Sequence, residues 1–218
     1  MKKKPKNYIT FILDRSGSMQ CLKDEAVQAF NQQVETIKKT SKGMTTRVSL
    51  VTFSTTPDEP KYWNEPLKSL KKLTLNDYKP EGMTAMLDAV AITVNKLLQL
   101  EDANNENVSF LVIVVSDGQE NNSKEFGWNN VAKIIQEAKA TNRWTFTYLG
   151  ANQDLGIIQQ RLSIDKGNIS LFAANKGGYV KGSQAMSAGI LGFSQCRAAG
   201  GQSVNNFYST TTTAKKKK

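Results

Sequence analysis

The sequence contains no histidine among its 218 residues. That removes Ser-His-Asp and Cys-His nucleophilic sites and every histidine-ligated zinc arrangement. Cysteine is nearly as scarce: Cys21 and Cys196 lie far apart, each in an amphipathic helical pattern. This usage fits free thiols in a reducing compartment better than a disulfide framework, and pairing of the two stays open. Long hydrophobic runs are missing too. The longest, FLVIVV at 110–115, falls far short of the roughly 20 residues a membrane helix needs. The basic opening MKKKPKNYITFIL carries an apolar stretch that stops at Asp14, too short for a signal sequence. The expectation is a cytoplasmic protein that neither enters a membrane nor is secreted. Gly-rich nucleotide signatures are also absent: no G-x-G-x-x-G follows the first apolar segment and no G-x-x-x-x-G-K-[ST] occurs.

Charge is plentiful and uneven. Lysine and arginine number 29 against 19 acids, a net +10, which first points to nucleic acid or a membrane surface. Yet Lys2, Lys3, Lys4 and Lys6 at one end and Lys215, Lys216, Lys217 and Lys218 at the other supply most of the excess. Without them the body carries 21 basic residues against 19 acidic ones. A nearly neutral body with two basic tips reads first as a solvated globule, and nucleic acid is not the expected partner.

The length suits one well-filled domain, expected over 6–196. Residues 1–5 form a basic tip, and a polar, aperiodic tail over 199–218 is expected to be disordered. The segments YITFIL (8–13), VSLVTF (48–53), VSFLVIVV (108–115) and WTFTYL (144–149) are short and rich in β-branched and aromatic residues; they read as strands. NISLFAA (168–174) is a weaker last one. Between them Val27, Phe30, Val34 and Ile37 recur at helical spacing, as do Leu87, Val90, Val94 and Leu97. Further helices are expected over 127–140, 154–162 and 183–196. Alternating strands and helices predict an α/β fold, a doubly wound, mainly parallel sheet with helices on both faces. The lysine-rich stretch 57–80 suits one short antiparallel edge strand. Trp63, Trp128 and Trp144 read as packing residues.

In such sheets ligands bind beyond the carboxyl ends of the strands, where strand order reverses. The first strand ends in Asp14-Arg15-Ser16-Gly17-Ser18, the strand FLVIVV ends in Ser116-Asp117-Gly118, and Thr84 opens the helix whose apolar stripe starts at Leu87. Taken singly, these are ordinary turn and N-cap residues: Ser16 or Ser18 can cap the helix that follows, and Thr84 can cap its own. Taken together they bring two carboxylates and three hydroxyls to one sheet edge. An all-oxygen set suits a hard cation, Mg²⁺, with Mn²⁺ or Ca²⁺ as alternatives. Glu120 is a candidate for the rim, where a solvated loop is the better account, and Asp88 is a candidate for hydrogen bonding to a metal-bound water, which an exposed helical acid explains equally well.

The run Asp14-x-Ser16-x-Ser18, then Thr84, then Asp117-Gly118, resembles the von Willebrand factor A domain with its metal-ion-dependent adhesion site. The resemblance spans about residues 6–196, in motif order and in element order. It implies that Ser16, Ser18 and Thr84 supply hydroxyl ligands, that Asp14 and Asp117 supply carboxylates, and that an acidic residue of a partner protein completes the shell. GMTAMLDAV and VSDGQEN are more similar to small intracellular members from bacteria and their viruses than to extracellular adhesive ones. Such members imply partners of the AAA+ ATPase, stress-response or viral kind.

The resulting expectation is a non-catalytic, metal-dependent protein-interaction module. One rival is a Mg²⁺-dependent phosphatase-like hydrolase with Asp14 as nucleophile; such enzymes carry a second aspartate where this chain has Ser16. Another is a nucleic-acid-associated accessory protein acting through the lysine-rich ends.

Overall fold

The computed structural model describes residues 3–151 and 155–209. In chain order the elements are β1 (Lys6–Asp14), a 3-10 turn (Gly17–Leu22), α1 (Lys23–Thr40), β2 (Thr45–Phe53), β3 (Tyr62–Pro66), α2 (Met86–Leu98) and β4 (Val108–Ser116). They continue with α3 (Trp128–Ala140), β5 (Trp144–Ala151), α4 (Leu155–Leu162), β6 (Ile169–Phe172) and α5 (Lys176–Ala198). The sheet order is β3-β2-β1-β4-β5-β6. All pairings are parallel except β2 with β3, which is antiparallel and closes one edge. The expected α/β architecture is the observed one, including the edge strand.

Alternation along β1 decides which helices pack where. Ile9, Phe11 and Leu13 point to the face covered by α1 and α5, against Phe30, Ile37, Met186 and Ile190. Tyr8 and Ile12 point to the other face, covered by α2, α3 and α4, against Val90, Val94, Ile135 and Ile158. Burial on both sides explains why β4 is apolar at almost every position and buried throughout. α1 forms where the 3.6-residue stripe runs, with Asp24 and Glu25 in its first turn and Lys38 and Lys39 in its last, each complementing the helix dipole.

Three expectations change. The last helix starts at Lys176 rather than near Ser183; the Asn175 side chain accepts from Gly178 N at 2.8 Å and starts it. Cys21 sits exposed in the 3-10 turn, not on an amphipathic helix, and both cysteines are free. Residues 199–209, expected to be disordered, lie on the body as a strap. Phe207 is buried in the α1/α5 core, Val204 N donates to Thr145 Oγ1 (3.0 Å), and Asn168 bonds both Val204 O (2.9 Å) and Phe207 N (2.8 Å). One aromatic anchor and a buried asparagine hold it, contacts that leave no periodic signal. Residues 210–218 of the expected tail lie outside the described residues. Trp144 is buried, and Trp63 and Trp128 are partly buried against the second core, as packing residues should be. Among the described residues no helix is long and apolar enough to cross a membrane.

Candidate metal centre

β1 and β4 are neighbours in register, Leu13 beside Val115, and the sheet order reverses between them. Their carboxyl ends open the crevice in which α/β sheets bind ligands. The chain then turns sharply because Asp14 Oδ1 accepts from Ser16 N at 2.7 Å, a side-chain-closed turn. Backbone bonds lash the turn to its surroundings: Arg15 N to Phe53 O (2.7 Å), Gly17 N to Gly82 O (3.0 Å) and Glu81 N to Arg15 O (2.8 Å). Gly82 takes a left-handed φ of 73°, and a Cβ there would meet Thr55 Oγ1 at 2.4 Å. Only glycine therefore lets this loop deliver Thr84 to the edge.

Arg15, an unspecified position of the motif, grips Asp58 through Nε (2.5 Å) and Nη2 (2.6 Å) and reaches Glu81 through Nη1 (3.1 Å). It thereby ties the β1 turn to the loops after β2 and before α2. The buried Tyr78 hydroxyl donates to the Asp14 carbonyl.

The side chains converge. Ser16 Oγ and Ser18 Oγ lie 3.1 Å apart, Ser18 Oγ donates to Asp117 Oδ1 at 2.7 Å, and Ser116 Oγ donates to Asp14 Oδ2 at 2.6 Å. Thr84 joins them at Gly118. The point a Cβ would occupy on that glycine is 3.0 Å from Thr84 Oγ1 and 3.6 Å from both Asp14 Oδ2 and Ser18 Oγ. Oxygens from the β1 turn and from Thr84 thus border one cradle on the turn after β4, kept open by the absence of a side chain at 118. All five residues singled out by the motif are here.

The helix-capping alternative does not hold for these hydroxyls. Ser16 makes no side-chain capping bond to the 3-10 turn. The residue before α1 is Leu22 and the one before α2 is Ala85, neither with a side-chain cap. The α2 terminus is served from elsewhere, by Glu120 Oε2 accepting from Leu87 N at 2.9 Å.

That bond reassigns Glu120, whose Oε1 also accepts from Asn122 N (2.9 Å) and Ser123 N (2.7 Å). Asp88 is likewise occupied: Oδ2 accepts from Lys124 N (2.8 Å) and Oδ1 from Glu125 N (3.1 Å) and Phe126 N (2.8 Å). Both carboxylates pin the β4–α3 loop to α2, a structural task that the sequence spacing does not reveal. Ser116, Tyr78 and the Arg15–Asp58 pair went unpredicted. Ser116 had a signal, a hydroxyl ending an otherwise apolar strand beside Asp117; Tyr78 had none.

The electrostatics leave negative charge uncompensated. Burial raises the Asp14 carboxyl above the ordinary range, hydrogen bonds from Ser116 and Ser16 oppose this, and the Asp117 charge raises it further. Burial raises Asp117 as well, against the hydrogen bond from Ser18. Among the described residues neither carboxylate has a lysine or arginine ion-pair partner. A buried carboxylate with a half-buried one nearby, neither paired to a basic side chain, is stabilised by a cation. The described residues contain no group of three or more His, Cys, Asp or Glu arranged around an ion, so any cation here must rely on hydroxyls. The donors are all oxygen, the set a hard divalent ion prefers.

Solved structures resemble the chain in fold. They include a von Willebrand factor type A protein from Catenulispora acidiphila (14% identity, TM-score 0.58, 86% of this chain and 43% of that one). Proximal thread matrix protein 1 from the mussel byssus matches at 15% identity and TM-score 0.60, over 84% of this chain and 46% of that one. The conserved hypothetical protein BatB from Bacteroides thetaiotaomicron matches at 14% identity and TM-score 0.54, over 81% and 95%. The chain spans less than half the length of the first two. No curated protein matches it by sequence. The sequence profile of the von Willebrand factor type A domain matches residues 9–177. With its element order, sheet order and turn residues in place, the chain belongs to the von Willebrand factor type A domain family.

Proposed function

We propose that this edge is a metal-ion-dependent adhesion site: it holds a hard divalent cation, Mg²⁺ first, and binds a partner protein's acidic side chain through it without catalysis. The observation that carries the reading is the cradle at Gly118, bordered by Thr84 Oγ1, Asp14 Oδ2 and Ser18 Oγ. Ser16, Ser18 and Thr84 would hold the ion through neutral hydroxyls, with Asp14 and Asp117 supplying charge directly or through water. Bound there, the ion supplies electrophilicity toward an incoming carboxylate, because its direct hydroxyl ligands do not neutralise it. Ser116 orients Asp14, and Arg15 and Tyr78 hold the turn. The small bacterial and viral members that the chain resembles suggest an AAA+ ATPase, a stress-response protein or a viral protein as partner.

The hydrolase reading has no comparable support. Ser16 stands where phosphatase-like enzymes carry their second aspartate, and its hydroxyl lies 3.1 Å from Ser18 Oγ. Titration calorimetry with Mg²⁺ and Mn²⁺ tests the proposal: one site in the wild type, lost in Asp14→Ala and in Ser16→Ala/Ser18→Ala. A pull-down with and without EDTA extends it, with partners lost in EDTA and in Asp14→Ala alike. Turnover of a generic phosphate ester with Mg²⁺, abolished by Asp14→Ala, would replace the adhesion reading with the enzymatic one.

A further inference from the structure

The fold places Lys3, Lys4 and Arg143 along the sheet edge opposite the oxygen cluster. Two hollows, of about 960 and 650 Å³, lie along the amino ends of β1, β4 and β5. They share Asn104, Glu106 and Gln202, so they form one continuous trough. Lys3 and Lys4 line one end and Arg143 the other. The strap that begins at Ala199 passes through it at Gln202 and Ser203.

We propose that this trough is a docking surface for the phosphate backbone of nucleic acid. The free cations can be named. Lys6 is spent on Asp102 at 2.5 Å, and Arg197 is buried, its guanidinium donating to Asn7, Gly201 O and Asn107 O. Lys3 and Lys4 are exposed and form no ion pair among the described residues. Arg143 donates to the carbonyls of Ala103 and Asn105, which leave its charge uncompensated. Against them the lining holds a single acid, Glu106.

The remaining lining is rich in side-chain amides, among them Asn104, Asn107, Asn142 and Gln202. Such groups donate to phosphate oxygens and sugars. None of the large exposed apolar side chains lines the trough, whereas a membrane surface would be met by an apolar face. No aromatic ring lines it for base stacking, and no helix is presented to a groove. Recognition is thus by charge, without sequence preference, and independent of the oxygen cluster.

Fluorescence anisotropy of a labelled 20-base-pair DNA duplex of mixed sequence tests this with the full chain. Binding is expected at low salt, with a slope of log affinity against log salt between about −3 and −7, one unit for each phosphate contacted. EDTA should leave it unchanged. Lys3→Glu/Lys4→Glu should weaken binding at least about tenfold, and Glu106→Lys should tighten it about fivefold. Glu59→Lys, the same charge change in the loop between β2 and β3, should alter it less than about twofold. All four positions are exposed, and a thermal melt of each variant checks its folding before binding is read. Absence of binding at 50 mM salt, equal effects of Glu59→Lys and Glu106→Lys, or tighter binding to phosphatidylserine vesicles than to DNA would each overturn the proposal.

Discussion

Gly118→Ala tests the convergence of oxygens with a single methyl group. The backbone at 118 is not in the left-handed region, so alanine adds no strain there. Its Cβ arrives 3.0 Å from Thr84 Oγ1 and 3.6 Å from Asp14 Oδ2 and Ser18 Oγ. Thr84 must yield by a few tenths of an ångström, which costs about 1 kcal/mol, the low end of overpacking. For a chain of this size that lowers the melting temperature by about 2–4 °C. The same methyl fills the cradle proposed for the cation. With Mg²⁺ at about a hundred times its dissociation constant, linkage adds about 2.7 kcal/mol to the wild type, a rise of about 5–11 °C. Scanning calorimetry in Mg²⁺ and in EDTA should therefore show that rise in the wild type and less than about 1 °C in Gly118→Ala. An equal Mg²⁺-dependent rise in both proteins would refute the reasoning, because the oxygens would then be gathering something other than the ion.

Three further outcomes follow from the contacts. Asp88→Ala removes the acceptor of three backbone N–H groups and should cost about 3 kcal/mol in urea unfolding while leaving Mg²⁺ affinity within about threefold; lost affinity with unchanged stability would return Asp88 to the ion. Phe207→Ala should cost about 3–4 kcal/mol, since the ring is 1% exposed; a loss below about 1 kcal/mol would detach the strap from the core. Burial pushes the Asp102 carboxyl up, but hydrogen bonds from Lys6 and Tyr8 outweigh it and hold it below the usual carboxylate range. Its contribution is thus present above about pH 4 and lost as pH falls through the lower folded value. Asp102→Asn should be less stable than wild type at pH 7 by under about 1 kcal/mol, and the two acid-unfolding curves should draw together below about pH 4.

The sheet was legible because β1, β2, β4 and β5 are buried on both faces, which compresses their sequences into apolar, β-branched runs. The turn residues were legible for a different reason: Asp14, Ser16, Ser18 and Asp117, each ordinary in a turn, gather at the ends of two such runs that the sheet sets side by side. The start of α5 was hidden by Gly177, Gly178 and Gly182, which weaken helical propensity and are tolerated here because Gly182 lets the helix close on Leu149 and Phe172. The strap was hidden because one phenylalanine entering a slot opened by Gly189 makes no periodic pattern. Asp88 and Glu120 could not be assigned because their partners are backbone N–H groups some 35 residues away or set by the loop's own folding.

The most direct measurement is an anomalous difference map from crystals soaked in Mn²⁺. The account predicts one peak at the β1/β4 edge, about 2–2.5 Å from Ser16 Oγ and Ser18 Oγ and lost in Asp14→Ala crystals. A well-occupied peak elsewhere with none at that edge, or a peak there that survives Asp14→Ala, would contradict it.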